Sequence, residues 1–212
     1  MSDLKSRVIS VKFHSKKNNL FIVRLENGYE YKVHADSVVK YKIKKNSYVY
    51  KEVINDALNM TEKQLIKHKI IVLLSYRQRS KHELIKLFLA KGFDLNNITD
   101  VINDLEEREY INDYKFATMY ASHLIKEKKL GHYLVIQKLK HHKIDSQIIE
   151  EIVSKLYNDF PSLNTINEII KKKKRFYGVS EKNKIRLTNY LKRKGFQIED
   201  ISLVIESKRH NF

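Results

Sequence analysis

The alternation of apolar and polar residues changes period about a quarter of the way along the chain. Val8-Ile9-Ser10-Val11-Lys12-Phe13 alternates as a half-buried strand does. Leu20-Phe21-Ile22-Val23-Arg24-Leu25 is apolar and β-branched, and Asn27-Gly28 supplies a tight turn into Tyr29-Glu30-Tyr31-Lys32-Val33-His34. Ser15 to Asn19 is a polar link. The pattern predicts a small antiparallel sheet of three strands. A helical turn over Ala35 to Tyr41 and a fourth strand at Tyr48 to Tyr50 follow. Three strands with one apolar face are marginal alone, so this module is expected to lean on neighbouring structure.

From about residue 52 the period is helical. Capping boxes mark helix starts at Thr61-x-x-Gln64, Ser80-x-x-Glu83 and Thr165-x-x-Glu168. Ile66, Ile70, Leu73 and Leu74 form one apolar stripe, Leu84 and Phe88 a second, and Ile98, Val101, Ile102 and Leu105 a third. The set then recurs without gaps. Leu84, Phe88, Phe93, Ile98, Val101, Ile102 and Leu105 match Val135, Leu139, Ile144, Ile149, Ile152, Val153 and Leu156. They match again as Leu187, Leu191, Phe196, Ile201, Val204 and Ile205, with Lys208 in the last slot. Repeats of this length are helical units stacked in a row.

Each unit has a joint. Gly92 and Gly195 can take the left-handed conformation that ends a helix, whereas the middle unit has Lys143 there. Phe93, Ile144 and Phe196 plug the joint, and Asp94 or Asp145 opens the next helix. Pro161 cannot continue a preceding helix and marks a boundary. The fold expected is mainly α: a tandem array of three three-helix repeats, elongated and curved, behind a small antiparallel β module. The boundaries are 1–51 for the β module, then 52–112, 113–160 and 161–212 for the repeats.

Composition adds a partner class. The chain of 212 residues carries 42 Lys and Arg against 25 Asp and Glu, a net charge of +17, which favours polyanions and nucleic acid above all. The excess is uneven. Residues 1–60 hold 12 basic and 6 acidic side chains (+6), residues 61–160 hold 17 and 14 (+3), and residues 161–212 hold 13 and 5 (+8). With 42% hydrophobic residues the chain can bury a core, which excludes wholesale disorder. The absence of cysteine removes disulfides and thiolate chemistry and fits a reducing interior. Ile70-Ile71-Val72-Leu73-Leu74 is too short to span a membrane, and Met1-Ser2-Asp3-Leu4-Lys5 has no secretory apolar region. A cytoplasmic location is expected.

Catalytic chemistry finds little support. The carboxylates of Asp104-Leu105-Glu106-Glu107-Arg108-Glu109 point around one helix end rather than converging as a two-metal nuclease requires. His132, His141 and His142 lack metal-ligand spacing. No Gly-rich phosphate loop or GxSxG elbow is present, and the tyrosines sit mainly at apolar repeat or strand positions. Neither enzyme activity, cofactor nor metal is expected. Arg, Asn and Gln are sparse at the third-helix starts, which disfavours a sequence-reading regulator. The positive signal is the basic run Lys171-Lys172-Lys173-Lys174-Arg175, followed by Lys182, Lys184, Arg186 and Lys192-Arg193-Lys194. Phosphate contacts by such residues are independent of sequence and sensitive to salt.

Tyr76-Arg77-Gln78-Arg79-Ser80-Lys81-His82-Glu83-Leu84, Lys91-Gly92-Phe93-Asp94 and Tyr110-Ile111-Asn112-Asp113-Tyr114-Lys115-Phe116-Ala117 resemble the RecX family of bacterial recombination regulators. That family carries an R-x-R-S-x-x-E-L start, a K-G-[FY] joint and a Y-[IL]-[ND]-D-x-x-[FY]-A link. Lys194-Gly195-Phe196 resembles its third-repeat signature. The likeness covers about residues 60 to 212, and the strand-rich start resembles the extension of longer members. Lys143 departs from the pattern.

The resemblance implies a non-enzymatic modulator of the RecA recombinase. It would lie in the groove of the RecA–single-stranded-DNA filament and inhibit ATP hydrolysis and strand exchange, expected as a monomer. The surface assigned to filament and DNA comprises Arg77, Arg79 and Lys81 in the first repeat, and Lys128, Lys129, Lys138 and Lys140 in the second. In the third it comprises Lys171, Lys172, Lys174, Arg175, Lys182, Lys184, Arg186, Lys192, Arg193 and Lys194. The alternative is a stand-alone, sequence-tolerant DNA-binding protein built from helix-turn-helix-like units.

Overall fold

The computed structural model describes residues 5–16, 18–173 and 181–207. Four strands open the chain: β1 (Lys5–Ser15), β2 (Leu20–Leu25), β3 (Glu30–His34) and, after helix α1 (Ala35–Lys40), β4 (Tyr48–Tyr50). They form one antiparallel sheet in the order β3-β2-β1-β4. The β2–β3 turn is longer than the dipeptide predicts. The Leu25 N–H donates to the Tyr29 carbonyl, so Glu26, Asn27 and Gly28 form a three-residue loop, with Gly28 at φ +88° in the left-handed position. The register of β1 shifts between Val8 and Ser10. This bulge keeps both Val8 and Val11 on the inner face with Val23, Leu25, Val33 and Val49.

Helix α2 (Lys51–Tyr76) supplies the support that the small sheet needs. Its first turns put Ile54 and Ala57 into the core of the sheet, and its later turns put Ile66 and Ile70 into a second core. The sequence reading is corrected here: Thr61 does not start a helix but lies inside α2. Its hydroxyl donates to the Ala57 carbonyl at 2.6 Å and accepts the His34 N–H at 2.9 Å, clasping β3. A capping-box pattern cannot by itself distinguish these two uses of a threonine. Thr165 is also internal, because α8 begins at Ser162, directly after Pro161, whose fixed φ suits a helix start. Ser80 behaves as predicted, accepting the Glu83 N–H at the start of α3 (Lys81–Leu89).

The remaining helices are α4 (Leu95–Glu107), α5 (Asp113–Lys126), α6 (His132–His141), α7 (Ser146–Asp159), α8 (Ser162–Lys173), α9 (Glu181–Arg193) and α10 (Ile198–Ser207). The chain is thus mainly helical with a small antiparallel N-terminal sheet. It divides into two compact units, residues 1–111 and 112–212. In the first, α2, α3 and α4 enclose Leu84, Phe88, Ile98, Ile102 and Leu105. In the second, α5 to α7 enclose Val135, Leu139, Ile149 and Ile152, and α8 to α10 enclose Ile166, Leu191, Phe196 and Ile201.

Three joints share one hydrogen-bond pattern. The N–H groups of Phe93, Ile144 and Phe196 donate to the carbonyls of Phe88, Leu139 and Leu191. The residue before each has positive φ: Gly92 at +81°, Lys143 at +57° and Gly195 at +85°. Lys143 therefore adopts the left-handed turn without glycine. Asp94 and Asp145 cap the helices that follow, accepting the N–H groups of Asn96 and Gln147. Lys208 lies outside the described residues.

Candidate nucleic-acid interface

Several of the sequence-predicted cations turn out to have structural partners. Arg77 and Arg79 both clamp the Glu83 carboxylate, the former also through a second bond of 3.0 Å. Together with the Ser80 cap this makes the R-x-R-S-x-x-E stretch a closed knot at the head of α3. Partial burial would raise the Glu83 carboxyl, but the two guanidinium groups outweigh it and hold it below its ordinary range. Lys81 pairs with Glu106 at 2.9 Å.

The acidic helix end is similarly engaged. Asp104 accepts from Lys67 at 2.6 Å and Arg108 at 2.8 Å, and Asp100 accepts from Lys63 at 2.6 Å. Hydrogen bonds from Lys67 and then Arg108 hold the Asp104 carboxyl below its usual range. These carboxylates tie α4 to α2 through pairs one helical turn apart. Among the described residues, no three His, Asp or Glu side chains gather where a metal could sit.

In the second unit the cations come together around a rigid loop. The segment between α5 and α6 is held by its own backbone, with the Leu130 N–H donating to Leu124 at 3.1 Å. The Tyr157 hydroxyl donates to the Leu130 carbonyl at 2.9 Å, and burial pushes its phenol pKa up, so it stays a neutral donor. The end of α9 docks on the same loop. The Gly131 N–H donates to the Lys194 carbonyl at 2.8 Å, the Tyr133 N–H to the Gly195 carbonyl at 3.0 Å, and the Lys194 ammonium to the Lys128 carbonyl at 2.7 Å.

This docking sets the backbone of Lys128 and Gly131 against the end of α9. Lys129 pairs with Glu168 at 3.0 Å, and that hydrogen bond, aided by Lys172 and Lys171, keeps the Glu168 carboxyl below its usual range. Lys128, Lys171, Lys172, Lys192 and Arg193 are exposed, while Lys194 is half-buried as a strut to the Lys128 carbonyl. Lys138 and Lys140 are exposed at the far end of α6, and Lys182 and Arg186 along α9, with Lys184 half-buried. Lys174 and Arg175 lie outside the described residues. An array of ammonium groups on a fixed backbone frame can contact phosphates, which positions a nucleic acid without reading its bases.

Gly131 escaped the sequence reading. Its φ of −84° is ordinary, but a Cβ there would lie 2.3 Å from the Phe196 nitrogen. The available signal was a glycine at a helix start with no turn to explain it, which points to close backbone approach.

Comparison with known proteins extends the reading. No family model matches the chain. A solved structure of the regulatory protein RecX superposes with a TM-score of 0.74 at 14% identity, covering 95% of this chain and 99% of its own. RecX from Lactobacillus salivarius superposes with a TM-score of 0.62 at 21% identity, over 69% of this chain and 96% of its own. The helical fold, with its small N-terminal sheet, is therefore the fold of those RecX structures. Among curated relatives, the regulatory protein RecX of Bacillus velezensis is 29% identical over 96% of this chain and 78% of its own length. That of Streptococcus pneumoniae is 26% identical over 90% and 74%. Likeness in sequence over about nine-tenths of the chain, together with likeness in fold, supports the RecX family of regulatory proteins.

Proposed function

We propose that the protein is a non-enzymatic, monomeric, cytoplasmic modulator of the RecA recombinase. It binds in the groove of the RecA–single-stranded-DNA filament and inhibits ATP hydrolysis and strand exchange. The observation that carries this reading is the set of exposed cations Lys128, Lys171, Lys172, Lys192 and Arg193 in a chain similar to RecX proteins. The body of the protein is an elongated, curved array of three copies of one three-helix unit, bounded at 52–112, 113–160 and 161–212 behind the β module of 1–51. The common joint at Phe93, Ile144 and Phe196 supports this repeat organisation. A linear array offers a long surface on which protein and phosphate contacts alternate. Residues 61–160, at only +3, suit the protein contacts, and the more basic ends suit the DNA.

The test is RecA-catalysed, DNA-dependent ATP hydrolysis with this protein sub-stoichiometric to RecA. Hydrolysis should fall at concentrations too low to sequester the DNA. Unchanged hydrolysis there would overturn the regulator reading.

A further inference from the structure

We propose that the outward face of the N-terminal sheet binds single-stranded nucleic acid, with bases stacking on Tyr48 and Tyr50 and phosphates held by Lys5, Arg7, Lys12 and Lys32. This inference rests on the sheet alone and stands whether or not the protein regulates RecA.

The strand register divides the sheet cleanly. Val8, Val11, Val23, Val33 and Val49 face α1, α2 and the core. Their alternates face the other way. Arg7 pairs across the ladder with Tyr48, Lys5 with Tyr50, and Lys12 and Lys32 flank Ile22 from its two sides. All four of these cations are exposed, and Tyr48 and Tyr50 remain 57% and 42% exposed. An interior-supporting role for the two rings is thereby removed, because Val49 between them does the packing.

Chemistry selects the occupant. Glu30 is the single acid in the four strands, and Arg24 already pairs with it. The face is therefore strongly cationic, which opposes a basic partner and complements a polyanion. A flat protein-docking face would offer contiguous apolar surface; here the rings are interleaved with ammonium and guanidinium groups. Rings on alternate residues of one strand stand about 6.7 Å apart, so each can take a base of its own. Sheet faces that combine exposed aromatics with cations recognise unstacked bases through the rings and the backbone through charge. Lys5 Nζ lies 4.9 Å from the Tyr48 ring centroid and 5.5 Å from that of Tyr50. A strand laid across the rings would exchange that ammonium from ring faces to phosphate. A duplex is disfavoured, since its bases are already stacked on one another.

The experiment uses the full chain without RecA and a fluorescein-labelled oligothymidine, read by anisotropy. The paired change Tyr48→Ala and Tyr50→Ala should weaken binding about fivefold or more, whereas Tyr48→Phe with Tyr50→Phe should retain it. Changing Arg7 and Lys12 to Gln should flatten the slope of log affinity against log salt by about 1.4, or about 0.7 per lost contact. Photo-cross-linking of unaltered protein to a bromouracil-containing oligonucleotide provides a readout independent of how the variants fold. The tryptic peptide Asn46–Lys51, which contains both rings, should carry cross-linked nucleotide. Undiminished affinity in the double alanine variant, or cross-links confined to the helical segments, would overturn the proposal and leave this face to a protein partner.

Discussion

Gly131 donates its backbone N–H to the carbonyl of Lys194 at 2.8 Å, and this one bond joins two helical segments whose sequences are far apart. The approach is close enough that any side chain at Gly131 would collide with the backbone of Gly195 and Phe196. Backbone cannot turn aside as a flexible side chain can. Gly131→Ala should therefore destabilise the protein by about 1–3 kcal/mol, in the range of overpacked interiors. Gly92→Ala is the matched control. A Cβ there meets nothing within 4 Å, so its cost is only the strain of φ +81°, about 1–2 kcal/mol. Denaturant unfolding of both variants checks the difference. Gly131→Ala alone should also disturb the arrangement of Lys128 and Lys129, and with it nucleic-acid affinity.

Lys192, Arg193 and Lys194 form one basic triplet in the sequence but divide in the structure. Lys192 and Arg193 are exposed, while the Lys194 ammonium is bonded to the Lys128 carbonyl. Replacing Lys192 and Arg193 with Gln should leave the unfolding midpoint unchanged, weaken filament binding and flatten its salt slope by about 1.4. Lys194→Met should instead cost about 1–3 kcal/mol of stability, because it removes a charged hydrogen bond from the joint. Salt-dependent binding and thermal unfolding measured on the same proteins separate the two roles.

Where a structural cause lies within a few residues, the sequence reveals it. The hairpin around Gly28, the Ser80 cap and the joints at Phe93, Ile144 and Phe196 each depend on neighbours in the chain. Their residue types and spacing therefore predict them. The start of α2 shows as the change of period near residue 52 but carries no capping signal, because its N-cap, Tyr50, makes no side-chain bond. Thr61 supplied a false start, since a threonine hydroxyl serves equally well inside a helix. At the candidate site, the cations were legible as charge but not as free or engaged groups. Lys194 and Lys128 are 66 positions apart, and only the fold brings them together. The Arg77 and Arg79 clamp on Glu83 was within reach of local reasoning, since all three lie in one short motif. Phosphate binding is the simpler reading of basic residues taken alone.

That clamp makes acid stability testable. Glu83 titrates below a carboxyl's ordinary 4.5 in the folded protein. A lowered folded value means that its ion pairs stabilise the fold fully above the unfolded value and are lost as pH falls through the folded one. Glu83→Gln should thus be less stable than the unaltered protein at neutral pH by about 2 kcal/mol, the scale of a hydrogen bond to a charged group. The gap should narrow below about pH 4.5 as the native carboxylate takes up its proton. Thermal unfolding across pH 3 to 7, approximately the span of carboxylate titration, measures it. A gap that stays constant through the acid range would show that the clamp does not depend on charge.

Lys143 poses the last question, since it performs at φ +57° the turn that Gly92 and Gly195 perform as glycines. A side chain in the left-handed region costs about 1–2 kcal/mol, whereas glycine loses more backbone freedom on folding, by about 0.5–1 kcal/mol. The difference favours glycine slightly, so Lys143→Gly should stabilise the protein by about 0.5–1 kcal/mol. Its side chain is exposed, and the turn's bonds to Lys140 and Leu139 are made by backbone groups, so no packing is lost. The reciprocal change, Gly195→Lys, should be far more damaging. There a Cβ would stand 2.6 Å from the Leu134 nitrogen, and the joint between α9 and α6 would have to open. Equal and small effects at both positions would mean that the joints tolerate any residue and that the close approach at Gly195 contributes nothing.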